Sequence, residues 1–527
     1  MIPTPLTPST SVPLLLSRLA ELAHADPDHV AVVEGDVRLS RRELAAQVEA
    51  AARGMRASGL LPGDRIAIDL PNGIAWVVAA LAAVQAGLTI VPLDPGLNYH
   101  ELKYQLRHAE VAGAIIPESG GAFDYLELFD DMLPHLPELR LVVYVGPGTS
   151  WFDNRAIPFR ELLVRGERHG PLEPAVPTTV APLALVYTSG TMGKPKGVIL
   201  SQSAMVGCAE AIREALPLEA DERILLAVPL HHVFGLSALL VGLLHGAKVV
   251  LLADFTPAAA LRAIASEQIT HFPGVPTMFE MMMRAPEFAD TDLVSLRSGV
   301  VAGSTVLPAL ADRIRRWCDV EVLYGLTEGG PVISLTRPDD SPERRRATVG
   351  RPLAGVEARV VDLRSGELHA LEAVGELAIA SPWLMVGYHR MPQETARVLT
   401  SGGYLLTGDL AVVDEEGYIT LVARRKEIIL RAGQAVTPRE IEDVLRTHPG
   451  IDDACVLGLP HDVLGEVICA CVVPVEGAVV TGPELMRFCQ DMLAATKVPD
   501  LVRFFDDFPR TASGKIRRQD VARMVVE

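Results

Sequence analysis

The stretch LVYTSGTMGKPKGVIL, Leu185–Leu200, decides how the rest of the chain is read. An apolar run stops at Thr188, and Gly190, Gly193, Gly197, Lys194 and Lys196 follow at once. A strand that breaks into a Gly-rich turn presents successive backbone N–H groups, which form a nest for an anion. Lys194 adds a point charge to that nest, and Thr188, Ser189 and Thr191 add hydroxyls. The Walker phosphate loop needs four residues between its first glycine and the Gly-Lys pair. Here only Thr191 and Met192 separate Gly190 from Gly193, and Pro195 stands where Ser or Thr would hold magnesium. P-loop kinases and ATPases are thereby excluded. Two readings stay open on these residues alone: an anion cradle of another kind, or an ordinary Gly-rich surface turn.

Outward from this loop, helical and strand patterns alternate from about residue 30 to 420. Ser40 to Gly59 reads as an amphipathic helix with an N-cap and a glycine end. DRIAIDLP (Asp64–Pro71) reads as a strand, Ile74 onward as an apolar helix, and LTIVPLD (Leu88–Asp94) as another strand. The grammar returns at AAALRAIASEQIT then HFPGVP, and at ALADRIRRWC then VEVLYGLTE. Such alternation predicts parallel sheets covered on both faces, with ligands at the carboxyl ends of the strands. Near residue 355 short strands with Gly and Asp-Glu-Glu-Gly turns take over, which predicts an antiparallel sheet. Beyond the basic cluster Arg424–Lys426, a segment of two helices, two strands and a basic end reads as a second domain of α+β type.

With 527 residues the chain exceeds what a single core supports, and 49% hydrophobic with 22% charged residues is the composition of a folded soluble protein. A net charge of −18 argues against nucleic acid or an anionic membrane as partner. The six cysteines show no metal spacing, which points to a reducing compartment, cytoplasmic in this reading, with thiols as small core residues. The apolar Ile74–Leu93 stretch contains Gln85 and Gly87 and reads as a buried helix, a glycine stop and a core strand, not a membrane span.

The opening stretch resembles the signature loop of the adenylate-forming superfamily, T-S-G-T-T-G-x-P-K-G, departing only at Met192. Further segments follow in the family's order: VPLHHVFGL (Val228–Leu236), LYGLTEGG (Leu323–Gly330), YLLTGDL (Tyr404–Leu410), ARRKEIILRAGQAVTPREIE (Ala423–Glu442) and PRTASGKIRR (Pro509–Arg518). The resemblance is to the acyl- and aryl-CoA synthetase type and covers residues from about 30 to 522. It implies a large N-terminal adenylation domain, residues 1–425, with parallel-type sheets and a distorted β-barrel part. It also implies a small mobile α+β domain, residues 426–527.

The resemblance implies ATP, Mg²⁺ and a carboxylic acid as reactants, and coenzyme A or a carrier protein as acceptor. Thr188, Ser189, Gly190, Thr191, Met192, Gly193 and Lys194 would hold the phosphates. Glu328 would hold Mg²⁺. Tyr324, with Gly325 and Thr327, would receive adenine; Asp409, assisted by Arg424, would accept the ribose hydroxyls. Lys515 would stabilise the adenylation transition state, and Lys426 would be the hinge. Gly433 would line the thiol channel, and His232 would gate the carboxylate. A pocket of His231, Phe234, Ser237, Val275, Val301, Ala302 and Gly303 would take the acyl group. Relatives that activate amino acids place an Asp after the Phe of this segment to hold the ammonium. Gly235 stands there, and an unpaired buried ammonium is costly, so an aliphatic or aromatic acid is expected. A non-catalytic nucleotide-binding homologue is the remaining alternative, opposed by the presence of Lys515, Glu328 and Asp409.

Overall fold

Parallel β-structure arises where strands are apolar on both faces, and two such sheets form the first part of the molecule. In the computed structural model, residues 15–120, 123–146, 155–172, 181–188, 195–304, 306–362, 373–431, 434–461, 464–511 and 514–526 are described. By their internal contacts these fall into two units. One holds the residues up to Glu357 together with Ile379–Leu405; the other holds Ala358–Ala378 together with Leu406 onward.

In the first unit, a nine-stranded sheet has six parallel members. Their order is Val30–Glu34, Lys248–Leu251, Arg223–Leu226, His271–Gly274, Ser298–Val301 and Asp319–Tyr324. An eight-stranded sheet carries Pro182–Thr188, Thr89–Pro92, Arg65–Ile68, Gly113–Pro117, Leu141–Val145 and Ala156–Pro158 in parallel. Its far side adds Lys196–Ser201 and Gly387–Tyr388, both antiparallel.

The helices follow from the sequence pattern. Arg41–Ala57 starts at a capping box in which Ser40 and Glu43 satisfy each other's backbone N–H groups, and it buries one stripe. Ile74–Gln85 and Val233–His245 are apolar nearly all round and are buried accordingly. The Ile74–Leu93 stretch is a helix, a turn and the strand Thr89–Pro92, as its Gln85 and Gly87 imply. Among the described residues no helix is long and apolar enough to cross a membrane.

The second unit shows period-two burial at its clearest. The paired strands Ile451–His461 and Gly465–Pro474 send Ala454, Val456, Ile468, Ala470 and Val472 to one face, against Pro438–Arg446 and Gly482–Met492. Cys455, Leu457, Cys469, Cys471 and Val473 face the other way, against Phe508 and Val521. All six cysteines are buried, unpaired core residues. The expected barrel part is, among the described residues, an open four-stranded sheet in the order Glu357–Val361, Gly375–Ala380, Leu405–Val413, Ile419–Arg424. Its last two strands pair antiparallel, as expected from the Asp-Glu-Glu-Gly turn between them.

Candidate active site

Thr188 ends its strand at the carboxyl edge of the eight-stranded sheet. Ser189, Gly190, Thr191, Met192, Gly193 and Lys194 lie outside the described residues. The chain returns in Lys196–Ser201, with Lys196 in register with Thr188. This return is held from three sides. The Tyr104 hydroxyl donates to Pro195 O (3.2 Å), His389 N donates to Gly197 O (2.7 Å), and Lys196 Nζ binds Glu394 Oε2 (2.8 Å). The Lys196 ammonium also stands 4.8 Å from the centroid of the Tyr388 ring, a cation–π contact. Tyr388 in turn donates its hydroxyl to Glu328 Oε1 (2.8 Å). Burial, and then the charge of Glu328, push the Tyr388 phenol well above its usual range, so it stays a donor.

Glu328 belongs to the other sheet. Tyr324 closes the strand Asp319–Tyr324, and a short turn, Thr327–Gly329, carries the carboxylate. Gly325 is required there, because a Cβ would stand 1.9 Å from Pro331 O. Tyr324 and Thr327 are buried. One chain of contacts, from Thr188's register partner Lys196 through Tyr388, therefore brings the flank of the Gly-rich loop to Glu328.

His231 and His232 lie in a turn before the helix Val233–His245. Pro229 follows the strand Arg223–Leu226, and His232 caps the helix, its Nδ1 accepting from Phe234 N (3.3 Å). That bond puts the proton of a neutral ring on Nε2. His231 Nε2 approaches Asp94 Oδ1 at 3.8 Å; burial lowers the pKa of this imidazole, and Asp94 opposes the shift. Asn72 holds the turn from behind. Its amide accepts from Leu230 N (2.8 Å) and donates to Val228 O (3.0 Å) and Leu226 O (3.4 Å). Gly235 packs so closely that a Cβ would meet Pro229 O at 2.1 Å, which leaves no room for an aspartate.

Beside this turn lies a narrow apolar cleft with a cavity volume of about 20 Å³. Phe234, Ser237, Ala238 and Val241 supply one wall, at the i, i+3, i+4, i+7 spacing of a single helix face. The sheet supplies the other wall through His271, Pro273, Val300 and Leu323. Phe234 and Ser237 of the expected pocket line it. Val301 follows Val300 and so faces the other side of the sheet. Val275, Ala302 and Gly303 sit past the strand ends, with Val275 Cγ1 3.0 Å from where a Cβ of Gly303 would be. Met278 and Met282 are not in the cleft's lining; they are buried on the helix whose Phe279 stacks edge-on against Phe272.

In the second unit, Asp409 is 4% exposed and faces its register partner Arg424, whose Nε lies 2.7 Å from Oδ1. Arg425 binds Glu376 at 2.6 Å, and Gly408 N also donates to Glu376 (3.2 Å), which fixes the Thr-Gly-Asp turn. Lys426 lies in the single turn Arg425–Glu427. Gly433 lies outside the described residues. Lys515 is exposed on a tight turn in which Thr511 N donates to Lys515 O (2.8 Å) and Gly514 takes a φ of +77°.

Sequence reasoning gave no role to Asn72, Tyr388, Lys196 or His271. Asn72 carried a faint signal, a polar residue in LPNG beside an apolar run, and Tyr388 carried none; the partners of both are distant in the chain.

Comparisons with known proteins identify the family. The model of the AMP-binding enzyme family matches residues 19–389, and that of its C-terminal domain matches residues 440–515. The chain is 32% identical to the medium-chain acyl-CoA ligase ACSF2, mitochondrial, of Rattus norvegicus, over 92% of this chain and 83% of that one. It is also 32% identical to the putative acyl-CoA synthetase YngI of Bacillus subtilis, over 97% and 96% respectively. Among solved structures, ATP-bound MatB from Rhodopseudomonas palustris superposes with a TM-score of 0.86 at 26% identity, covering 96% of this chain and 98% of that one. The chain belongs to the AMP-binding enzyme family.

Proposed function

We propose that this chain is an AMP-forming acyl-CoA synthetase. It joins a carboxylic acid to the α-phosphate of ATP with release of pyrophosphate, then passes the acyl group to the thiol of coenzyme A. The observation that carries the reading is the contact chain Lys196–Tyr388–Glu328, which sets the flank of the Gly-rich loop against one carboxylate. A carboxylate attacking an electron-rich phosphorus needs charge neutralised on both sides of it, and the loop residues Thr188–Lys194 serve one side.

Glu328 suits Mg²⁺, a hard cation that takes one or two carboxylates plus phosphate oxygens. No cluster of three or more His, Cys, Asp or Glu fit for a metal occurs among the described residues, and such a site requires none. When bound, Mg²⁺ supplies Lewis-acid stabilisation of phosphate charge. His232 offers its Nε2–H toward the acid. Asp409, oriented by Arg424, accepts the ribose hydroxyls, and Tyr324 offers its ring to adenine. Lys515 neutralises charge in the adenylation step. The functional divide falls at 425/426, with Lys426 as hinge and Gly433 admitting the pantetheine arm for the second step.

The acid is an aliphatic one of medium length. The apolar lining of the cleft supports an aliphatic acid, the name of the rat relative supports a medium length, and the space closed at Gly235 removes the place of an ammonium partner. Relatives named for CoA ligation favour coenzyme A over a carrier protein. Six buried thiols support a cytoplasmic location.

Mass spectrometry of enzyme, Mg-ATP, coenzyme A and a panel of acids tests the reading. A new acyl-CoA is the expected product. Accumulation of acyl-AMP alone overturns the acceptor, and neither product from any acid overturns the function.

A further inference from the structure

The cleft is apolar except at His271 and Ser237. His271 begins the strand His271–Gly274, three residues before its carboxyl end, so its ring stands about 10 Å below the edge where the reaction takes place. Its strand neighbour in register is Ser298, and the period of two sends His271, Pro273, Ser298 and Val300 to the same face. His271 Nδ1 and Ser298 Oγ are 2.8 Å apart. Ser237, the other polar side chain of the lining, gives its hydroxyl to Val233 O of its own helix (2.8 Å). Among the described residues His271 Nε2 has no hydrogen-bond partner, so it is the polar atom that the cleft has left for a ligand.

The ring is neutral. Burial pushes its pKa down to about 4, against the opposing charge of Glu222. A neutral imidazole bonded through Nδ1 presents either a donor or an acceptor at Nε2, depending on which way the Ser298 hydroxyl turns. A hydroxyl group satisfies both cases, since it donates and accepts.

We infer that His271 is a specificity-determining residue that selects an acyl chain bearing a hydroxyl near its distal end. This rests on the acyl-CoA synthetase reading and narrows its substrate class from plain to hydroxylated medium-chain acids. A plain chain lays methylene against Nε2 and leaves that atom buried without a partner. That omission corresponds to roughly 10- to 100-fold in kcat/KM.

The test compares matched straight-chain acids, with and without a terminal hydroxyl, across a graded series of lengths, at saturating Mg-ATP and coenzyme A. At one length the hydroxy acid is expected to exceed its plain partner by roughly 10- to 100-fold. His271→Leu should abolish or reverse that ratio with the KM for ATP unchanged, and His271→Gln should retain part of it. Should His271→Leu fail to fold, the wild-type ratio and His271→Gln decide. A hydroxy acid no better than its plain partner at every length overturns the inference while the synthetase reading stands. Turnover of neither series overturns the synthetase reading and this inference with it.

Discussion

Replacing Asn72 by alanine should damage activity more than its distance from the chemistry suggests. The side chain is 6% exposed and bonds to three backbone groups of the segment that ends in His231 and His232. The bonds to Leu230 N at 2.8 Å and Val228 O at 3.0 Å are short, and that to Leu226 O at 3.4 Å is weak. Asn72→Ala removes the amide and leaves a donor and an acceptor buried without partners, at about 1–3 kcal/mol each. Taken together, a loss of about 2–6 kcal/mol follows, which corresponds to an apparent melting shift of roughly 3–8 °C in a unit this large.

The rate should fall further than stability. His232 lies two residues beyond Leu230, and a displacement of about 1 Å at a positioning group costs roughly 100-fold. The assay is acid-dependent ATP–pyrophosphate exchange, read beside thermal unfolding of the same sample. Exchange should drop by roughly 100-fold while nucleotide affinity holds. Asn72→Asp keeps the acceptor toward Leu230 and loses the donors, so it separates the two halves of the clamp. If Asn72→Ala melts within about a degree of the wild type and exchanges at nearly the same rate, the clamp holds nothing.

Tyr388→Phe removes the donor to Glu328 Oε1. A hydrogen bond to a charged group contributes about 1.5–3 kcal/mol, so adenylation should slow roughly tenfold or more, with a raised Mg²⁺ requirement in a titration. An unchanged Mg²⁺ curve would remove Tyr388 from the site. Lys515→Ala should suppress pyrophosphate release by at least about 100-fold yet leave conversion of supplied acyl-AMP to acyl-CoA largely intact; normal adenylation would end the role given to Lys515. Asp69 is buried with Oδ1 unpartnered, and burial, followed by Asp94, raises its pKa to about 8. The folded state therefore holds this proton more tightly than the unfolded chain, so stability declines as pH rises between about 4 and 8, and Asp69→Asn should melt higher than wild type by a margin that grows across that window. A margin independent of pH would show that the carboxyl is ionised throughout.

What the sequence disclosed was whatever repeats locally. The 74–93 stretch declared a helix, a stop and a strand through Gln85 and Gly87. Asp409 and Arg424 were named together by the resemblance alone, and the antiparallel hairpin places them opposite one another. Contacts made by distant segments were silent. Tyr388 meets Glu328 across 60 residues and Asn72 meets Leu230 across 158, and neither pairing has a local periodicity to announce it. The turn that holds the His pair has no periodicity of its own to announce it; Pro229 and the capping role of His232 set it. His271 was silent for a related reason. A histidine in a strand apolar on both faces stands out only once the face it occupies is known to line a cleft.

These silent contacts have a common place. Glu34 ends a strand of the nine-stranded sheet, and its Oε2 accepts from Ile74 N (2.7 Å), at the start of the helix that follows the eight-stranded sheet's Arg65–Ile68. Asn72, in the same connection, binds the turn after Arg223–Leu226, and Tyr388, on the edge of the eight-stranded sheet, binds Glu328 after Asp319–Tyr324. Each bond ties one sheet to the other at carboxyl strand ends. The helices between, Ile74–Gln85 and Val233–His245, are apolar nearly all round, and apolar packing is non-directional: it brings surfaces together without choosing among small slides. Hydrogen bonds do choose, because their strength falls steeply with angle. Burying them raises the cost of any slide that breaks one. The loop flank rides on one sheet, and Glu328 and the His232 turn ride on the other, so the geometry required for phosphoryl chemistry depends on the register between sheets. It follows that single losses among the three ties should be non-additive in rate, since any one broken tie already frees the slide the others oppose.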